Sequence, residues 1–126
     1  NIYIALGTGN VEQVASMKLR KLGINQFFPV GGFGGDNENR TEILKIARFR
    51  SEKHYGMNFM PENRWVIGDT SHDIINGRQS GAQTIAVATG GIDIAELHGH
   101  EPTGLFEDFS DWERFLDIVM NNSESL

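Results

Sequence analysis

Cysteine is absent from the 126 residues, so the chain can build neither a disulfide framework nor a thiolate metal site. Positive charge is scarce. Lys and Arg number 11 against 17 Asp and Glu, a net charge of −6, and no basic run or stripe stands out. That balance argues against a nucleic-acid partner. No apolar run approaches the roughly 20 residues a membrane-crossing helix needs, so no membrane partner is expected. No signal-peptide pattern is visible at the start of the sequence. Internal repeats, low-complexity segments and domain linkers are also missing. What these absences leave is a cytoplasmic enzyme as the default expectation.

What is present is ordinary globular composition, with 39% apolar residues and one domain's worth of length. The chain opens on Asn1 and enters an apolar run at once, which suggests an excerpt from a longer polypeptide. Ile2-Tyr3-Ile4-Ala5-Leu6 reads as an interior strand. Val11, Val14, Ala15, Leu19 and Leu22 then recur at helical spacing, and Gly23 is a natural stop. Gln26 to Val30 reads as a second strand, with Pro29 marking an edge, and Gly31 to Gly35 as a flexible loop. Asn39-Arg40-Thr41-Glu42 has the form of a capping box opening a helix to about His54. Trp65-Val66-Ile67 is a buried strand followed by a helix that closes at Gly81. Thr84 to Ala88 is another strand, and Ile92 to Leu97 a short helix. His98 to Thr103 reads as loop and Leu105-Phe106 as a short strand. Ser110 to Glu113 is a second capping box. Trp112, Phe115, Leu116 and Val119 form a stripe expected in the core, and the tail from Asn121 is expected to fray. Strands alternating with helices predict a parallel α/β sheet.

Gly68-Asp69-Thr70-Ser71-His72-Asp73 carries the chemistry. The strand delivers Asp69 at its carboxyl end, and Asp73 falls in the first turn of the next helix, with Ser71 as the expected N-cap. Ligands of open α/β sheets bind at that end of the strands. Two carboxylates held there suit a hard cation such as Mg²⁺. The plainer alternative makes both acids turn and cap residues.

Gly7-Thr8-Gly9-Asn10 offers a hydroxyl between glycines before a helix N-terminus, a good seat for a phosphate oxygen. The alternative is a simple turn with Asn10 as N-cap. Arg40, at the start of a helix, could hold phosphoryl oxygens in its fork, or could be a solvated surface residue. Thr8 has no evident activating base, so no nucleophile is visible. The glycines at 31, 32, 34 and 35 lack the Lys-Ser/Thr of a P-loop. His98 and His100 with Glu96 and Glu101, and His72, read as surface residues rather than ligands.

These residues carry a resemblance. The chain resembles the C-terminal part of a haloacid-dehalogenase (HAD) superfamily hydrolase, in particular the phosphoglycolate-phosphatase-like branch. Thr8 in Leu6-Gly7-Thr8-Gly9-Asn10 matches the family's phosphoryl-binding hydroxyl. Arg40 matches the cation at the start of a later helix, where many members carry Lys-Pro. Gly68 to Asp73 matches the Gly-Asp-x-x-x-Asp metal motif, and Gly81 to Gly91 reads as in the family. The Asp-x-Asp motif, whose first Asp is the nucleophile, is absent from the sequence.

The resemblance implies a three-layer Rossmann-like parallel sheet with helices on both faces. It makes residues 1–126 the C-terminal part of the hydrolase core, with the central first strand and the substrate-choosing cap outside the sequence. Ile2–Leu6 and Trp65–Ile67 would then flank an empty slot. Each unsatisfied backbone group there would cost roughly 1–3 kcal/mol, so a missing N-terminal segment of the same protein is the expected partner. The implied reaction is Mg²⁺-dependent hydrolysis of a small-molecule phosphomonoester through an aspartyl-phosphate formed on an Asp upstream of residue 1. Thr8, Gly9, Asn10 and Arg40 would bind the phosphoryl oxygens. Asp69 would ligate the metal, and Asp73 would support it directly or through water. The rival readings are another reaction of the superfamily (dehalogenase, phosphonatase or phosphomutase) and an inactive fragment or binding module.

Overall fold

The computed structural model describes residues 2–125, and their side chains as far as Asn121. The chain divides into two compact units, Asn1–Phe59 and Met60–Leu126. Each is an α/β arrangement of parallel strands and helices.

In the second unit, the apolar run Thr84 to Val87 dictates the architecture. It lies in β4 (Gln83–Val87), between β3 (Trp65–Gly68) and β5 (Gly104–Phe106), and all three strands are parallel. Successive side chains of a strand point to opposite faces, and the core follows that period. Ala86 packs with Ile74 of α3 (Ser71–Gln79) and Leu97 of α4 (Ile94–Gly99) on one face. Ile85, Val87 and Phe106 pack on the other, against Phe115, Ile118 and Val119 of α5 (Trp112–Ser125). The sheet therefore has helices on both faces, as expected. β3 is an edge strand of this sheet, and Ile67 is 45% exposed.

In the first unit, β1 (Leu6–Gly7) pairs in parallel with β2 (Gly31–Gly32). Two helices accompany them, α1 (Glu12–Leu22) and α2 (Arg40–Tyr55), the latter packed against β2. Gly23 ends α1 in the left-handed conformation, φ 74°. Asn39 caps α2 by accepting from the amides of Thr41 and Glu42.

Several expected elements are displaced. The strand expected over Ile2–Leu6 pairs only at Leu6–Gly7, because its partner is just two residues long. Residues Asn25–Phe27 curl into a 3₁₀ turn instead of the expected strand, and Pro29 has no N–H to donate. The ladder begins only at Val30, whose carbonyl accepts from Leu6 N at 3.1 Å. The expected glycine loop is itself the strand: Gly31 and Gly32 are buried, and a Cβ at Gly32 would collide with the carbonyl of Ile43 in α2. Residues 2–5 are held otherwise. Tyr55 donates its hydroxyl to the Ile4 carbonyl at 2.8 Å, and the Tyr3 ring lies 4.7 Å from that of Tyr55.

The apolar stripe of α5 is rotated from expectation. Phe115 and Val119 face the core as expected, with Ile118 beside them, but Trp112 is 58% exposed and Leu116 also lies outside. The first backbone bond of α5 runs from Phe115 N to Asp111 O, so Asp111, not Ser110, stands at its head. Asn121 breaks the helical dihedrals (φ −123°), and the helix resumes beyond it where fraying was expected. The short helix expected over Ile92–Leu97 lies two residues later, with Asp93 as its N-cap.

Candidate active site

The residues singled out from the sequence divide between the units. Thr8, Gly9, Asn10 and Arg40 belong to the first, Asp69 and Asp73 to the second.

Asp69 follows the last residue of β3, at the carboxyl end of the strand. The N-cap of α3 is Thr70, one residue before the expected Ser71. Thr70 and Asp73 form a reciprocal capping box. Asp73 N donates to Thr70 Oγ1 at 3.3 Å, and Asp73 Oδ2 accepts from Thr70 N at 3.0 Å and Thr70 Oγ1 at 2.9 Å. The same Oδ2 also accepts from Asp69 N at 3.1 Å. Asp73 thus fills the cap role that the plainer reading gave it, and in doing so fixes the main chain that aims Asp69. Gly68 is required by this packing, because a Cβ there would collide with the Asp73 carboxyl group.

The Asp69 carboxylate is half-buried and receives no hydrogen bond from the described residues. It lies against Gly90, in the turn after β4, where a Cβ would collide with it. A lone carboxylate kept clear of donors, at the ligand end of a parallel sheet, fits a hard divalent cation. Gly90 was not among the residues picked out as functional. Its signal was the Thr89-Gly90-Gly91 string directly after a buried strand.

In the first unit, Thr8 follows β1, and its amide donates to Gly32 O at 3.1 Å. Thr8 Oγ1 accepts from Asn10 N at 3.1 Å. That bond uses the Asn10 amide internally and leaves the hydroxyl proton of Thr8 directed elsewhere. Asn10 is not the N-cap of α1. Val11 is, and it supplies no side-chain cap bond, so the first turn of α1 meets solvent or ligand with its amides uncapped by a side chain. Arg40 is the first residue of α2 and exposed, and its Nη2 lies 3.6 Å from where a Cβ on Gly9 would stand. The structure therefore brings Arg40 over the Thr8–Asn10 turn, through a glycine that leaves it room. A hydroxyl, an uncapped helix start and a guanidinium there can receive an anion.

The chain is similar to several known proteins. A family model described as HAD-hydrolase-like matches residues 42–112, more than half of the chain. Pyrophosphatase PpaX of Oceanobacillus iheyensis is 26% identical over 111 residues, covering 88% of this chain and 50% of that protein. Tyrosine-protein kinase PtkA of Mycobacterium tuberculosis is 28% identical over 90 residues, 71% of this chain and 30% of that one. Among solved structures, a proposed β-phosphoglucomutase of Thermotoga maritima superposes with a TM-score of 0.72 at 22% identity, covering 99% of this chain and 54% of that one. A predicted phosphoglycolate phosphatase of Haemophilus somnus gives 0.68 at 19%, covering 89% and 48%. The parallel α/β fold defines the class, a Rossmann-like fold. The chain belongs to the HAD-hydrolase-like family. It spans half the length of the pyrophosphatase and less than a third of the kinase.

Proposed function

We propose that the chain is the C-terminal part of a Mg²⁺-dependent phosphatase core acting on a small-molecule phosphomonoester. The observation that carries the reading is the Asp69–Asp73 arrangement: a carboxylate that receives no hydrogen bond from the described residues, with its main chain held by a second acid. Family membership supports the hydrolase class, and the likeness to PpaX, named a pyrophosphatase, supports phosphoryl chemistry.

In this reading Asp69 would hold Mg²⁺, and Asp73 would support the ion directly or through water while keeping Asp69 in register. The bound cation would offset charge between the phosphoryl group and the carboxylates. Thr8 donates its hydroxyl to a phosphoryl oxygen, and Gly9 with the start of α1 offers backbone amides. Asn10 contributes by holding the Thr8 hydroxyl in place. Arg40 takes further oxygens in its fork and disperses charge as the phosphoryl group transfers.

The attacking group is a carboxylate upstream of residue 1, on a strand that fills the edge of β3. The exposed Ile67 on that edge supports such an addition. Phosphorus passes to that aspartate as the alcohol leaves, and water then cleaves the aspartyl-phosphate. The test is p-nitrophenyl phosphate turnover with Mg²⁺. The chain alone should be inactive, and the protein carrying its upstream segment active. Turnover that depends on Mg²⁺ would exclude the dehalogenase reading. Activity that survives Asp69→Ala would overturn the proposal.

A further inference from the structure

We propose that Asp36 and Arg50 form a positioning pair that holds the phosphate-receiving turn around Thr8 in shape. The inference rests on the reading of that turn given above. It uses contacts within the first unit only.

Arg50 lies in α2, ten positions beyond Arg40, and reaches back to the loop that precedes the helix. Its guanidinium grips Asp36 in a fork, Nη1 to Oδ2 at 2.7 Å and Nη2 to Oδ1 at 2.8 Å. Nη1 also donates to the Gly31 carbonyl at 2.9 Å. One side chain thus ties the start of the glycine loop, on β2, to its end. Asp36 closes the loop on itself, since its Oδ2 accepts from Phe33 N at 2.9 Å and its own amide donates to Phe33 O at 2.9 Å.

The closed loop bears directly on the turn. Gly34 N donates to Asn10 O at 2.8 Å, and a Cβ on Gly34 would collide with the Gly9 carbonyl. Two glycine turns are therefore stacked backbone to backbone. The outer one is fastened by Arg50, and the inner one carries Thr8 Oγ1, bonded to Asn10 N. Lengthening the Asp36–Arg50 fork frees Gly34, and Gly34 is what sets the Asn10 carbonyl. The exposed pair does its work through geometry, because a surface ion pair by itself contributes little to stability. Arg is required for the fork, which Lys cannot reproduce.

The test measures inorganic phosphate affinity by chemical-shift titration of the Gly9 and Asn10 amides. It compares wild type, Asp36→Asn, Arg50→Met and Arg50→Lys, with denaturant stability followed in parallel. Lys45→Ala, which breaks the exposed Lys45–Glu42 pair on the same helix, matches the charge lost in Arg50→Met. All three clamp variants should bind phosphate about two- to fivefold more weakly. The Gly34 and Asn10 amide signals should move even before phosphate is added, and Lys45→Ala should change neither. Arg50→Lys, which keeps the charge, separates fork geometry from electrostatics. Unchanged affinity in the clamp variants, with Thr8→Ala losing phosphate, overturns the positioning pair and leaves the turn's role standing. Absence of any phosphate response in wild type overturns both.

Discussion

The backbone amide of Asp69 donates to the side chain of Asp73 at 3.1 Å, so one acid of the pair is held by the other. The four-residue spacing that looks like a shared metal motif is also the spacing of a capping box joined to the strand end. The two roles do not compete. The cap is what fixes the direction of the carboxylate at 69.

Replacing Asp73 by Ala should therefore act on stability as well as on metal binding. It removes the reciprocal cap and strips the described acceptor from Asp69 N and Thr70 N. A lost cap and newly unpaired amides together should destabilise by about 1–3 kcal/mol. Asp73→Asn keeps an acceptor oxygen and should lose less than about 1 kcal/mol while still weakening Mg²⁺ binding. Urea unfolding of both variants, with a Mg²⁺ titration of each, checks the split. Equal losses of stability would contradict it.

Gly90 tests the metal half from the opposite side. A methyl group at this position would collide with the Asp69 carboxylate, and Gly90 is exposed, so the loop can yield without disturbing the core. Gly90→Ala should leave the unfolding midpoint nearly unchanged. It should weaken Mg²⁺ by about tenfold or more, the scale of losses seen when a ligand's support is disturbed. Calorimetric titration with Mg²⁺ reads this directly.

The strand and helix order of the second unit was legible because local signals agreed. Val66-Ile67 and Thr84 to Val87 are short β-rich runs, bounded by Gly68 and Gly81. The first unit was harder. Gln26 to Val30 is rich in aromatic and branched residues, yet its curl is set by Pro29 and by the glycine strand beyond it. Gly31 and Gly32 have no strand propensity of their own. They are a strand because Leu6, Thr8 and α2 surround them, which no local window reveals. The clamp between Asp36 and Arg50 was invisible for the same reason, since fourteen residues separate the partners. Thr8, Arg40, Asp69 and Asp73 could be picked out because each sits next to a break in periodicity, where a strand ends or a helix starts.

Acid should expose the clamp. The Arg50 guanidinium, hydrogen-bonded to the Asp36 carboxylate, holds that group below its ordinary value of 3.8, with the Phe33 amide adding to the effect. The unfolded chain then takes up the proton at a higher pH than the folded one. The pair's contribution is thus present above about pH 3.8 and is lost as pH falls through the folded value. Asp36→Asn should remove this part of the acid dependence and leave stability near neutral pH only slightly lower. Denaturation of wild type and variant from about pH 6 downward checks the sign. The difference should shrink in high salt, as it does for exposed charges.

The rotated stripe of α5 gives the last prediction. Trp112 and Leu116 sit four apart, as do Phe115 and Val119, so helical period alone cannot say which row is inside. The structure turns Phe115 inward, its ring 5.9 Å from Phe106 and 5.8 Å from Phe109, while Trp112 is mostly in solvent. Phe115→Ala removes ring contacts and leaves space beside the sheet, at a cost of about 2–4 kcal/mol for a partly buried aromatic. Trp112→Ala gives up little buried area and should stay within about 0.5 kcal/mol of wild type. If the tryptophan were the core residue, the order of the two losses would reverse. Paired denaturation curves decide between them, and the Trp112 fluorescence maximum, expected at the long wavelength of an exposed indole, gives an independent reading in a Trp65→Phe background.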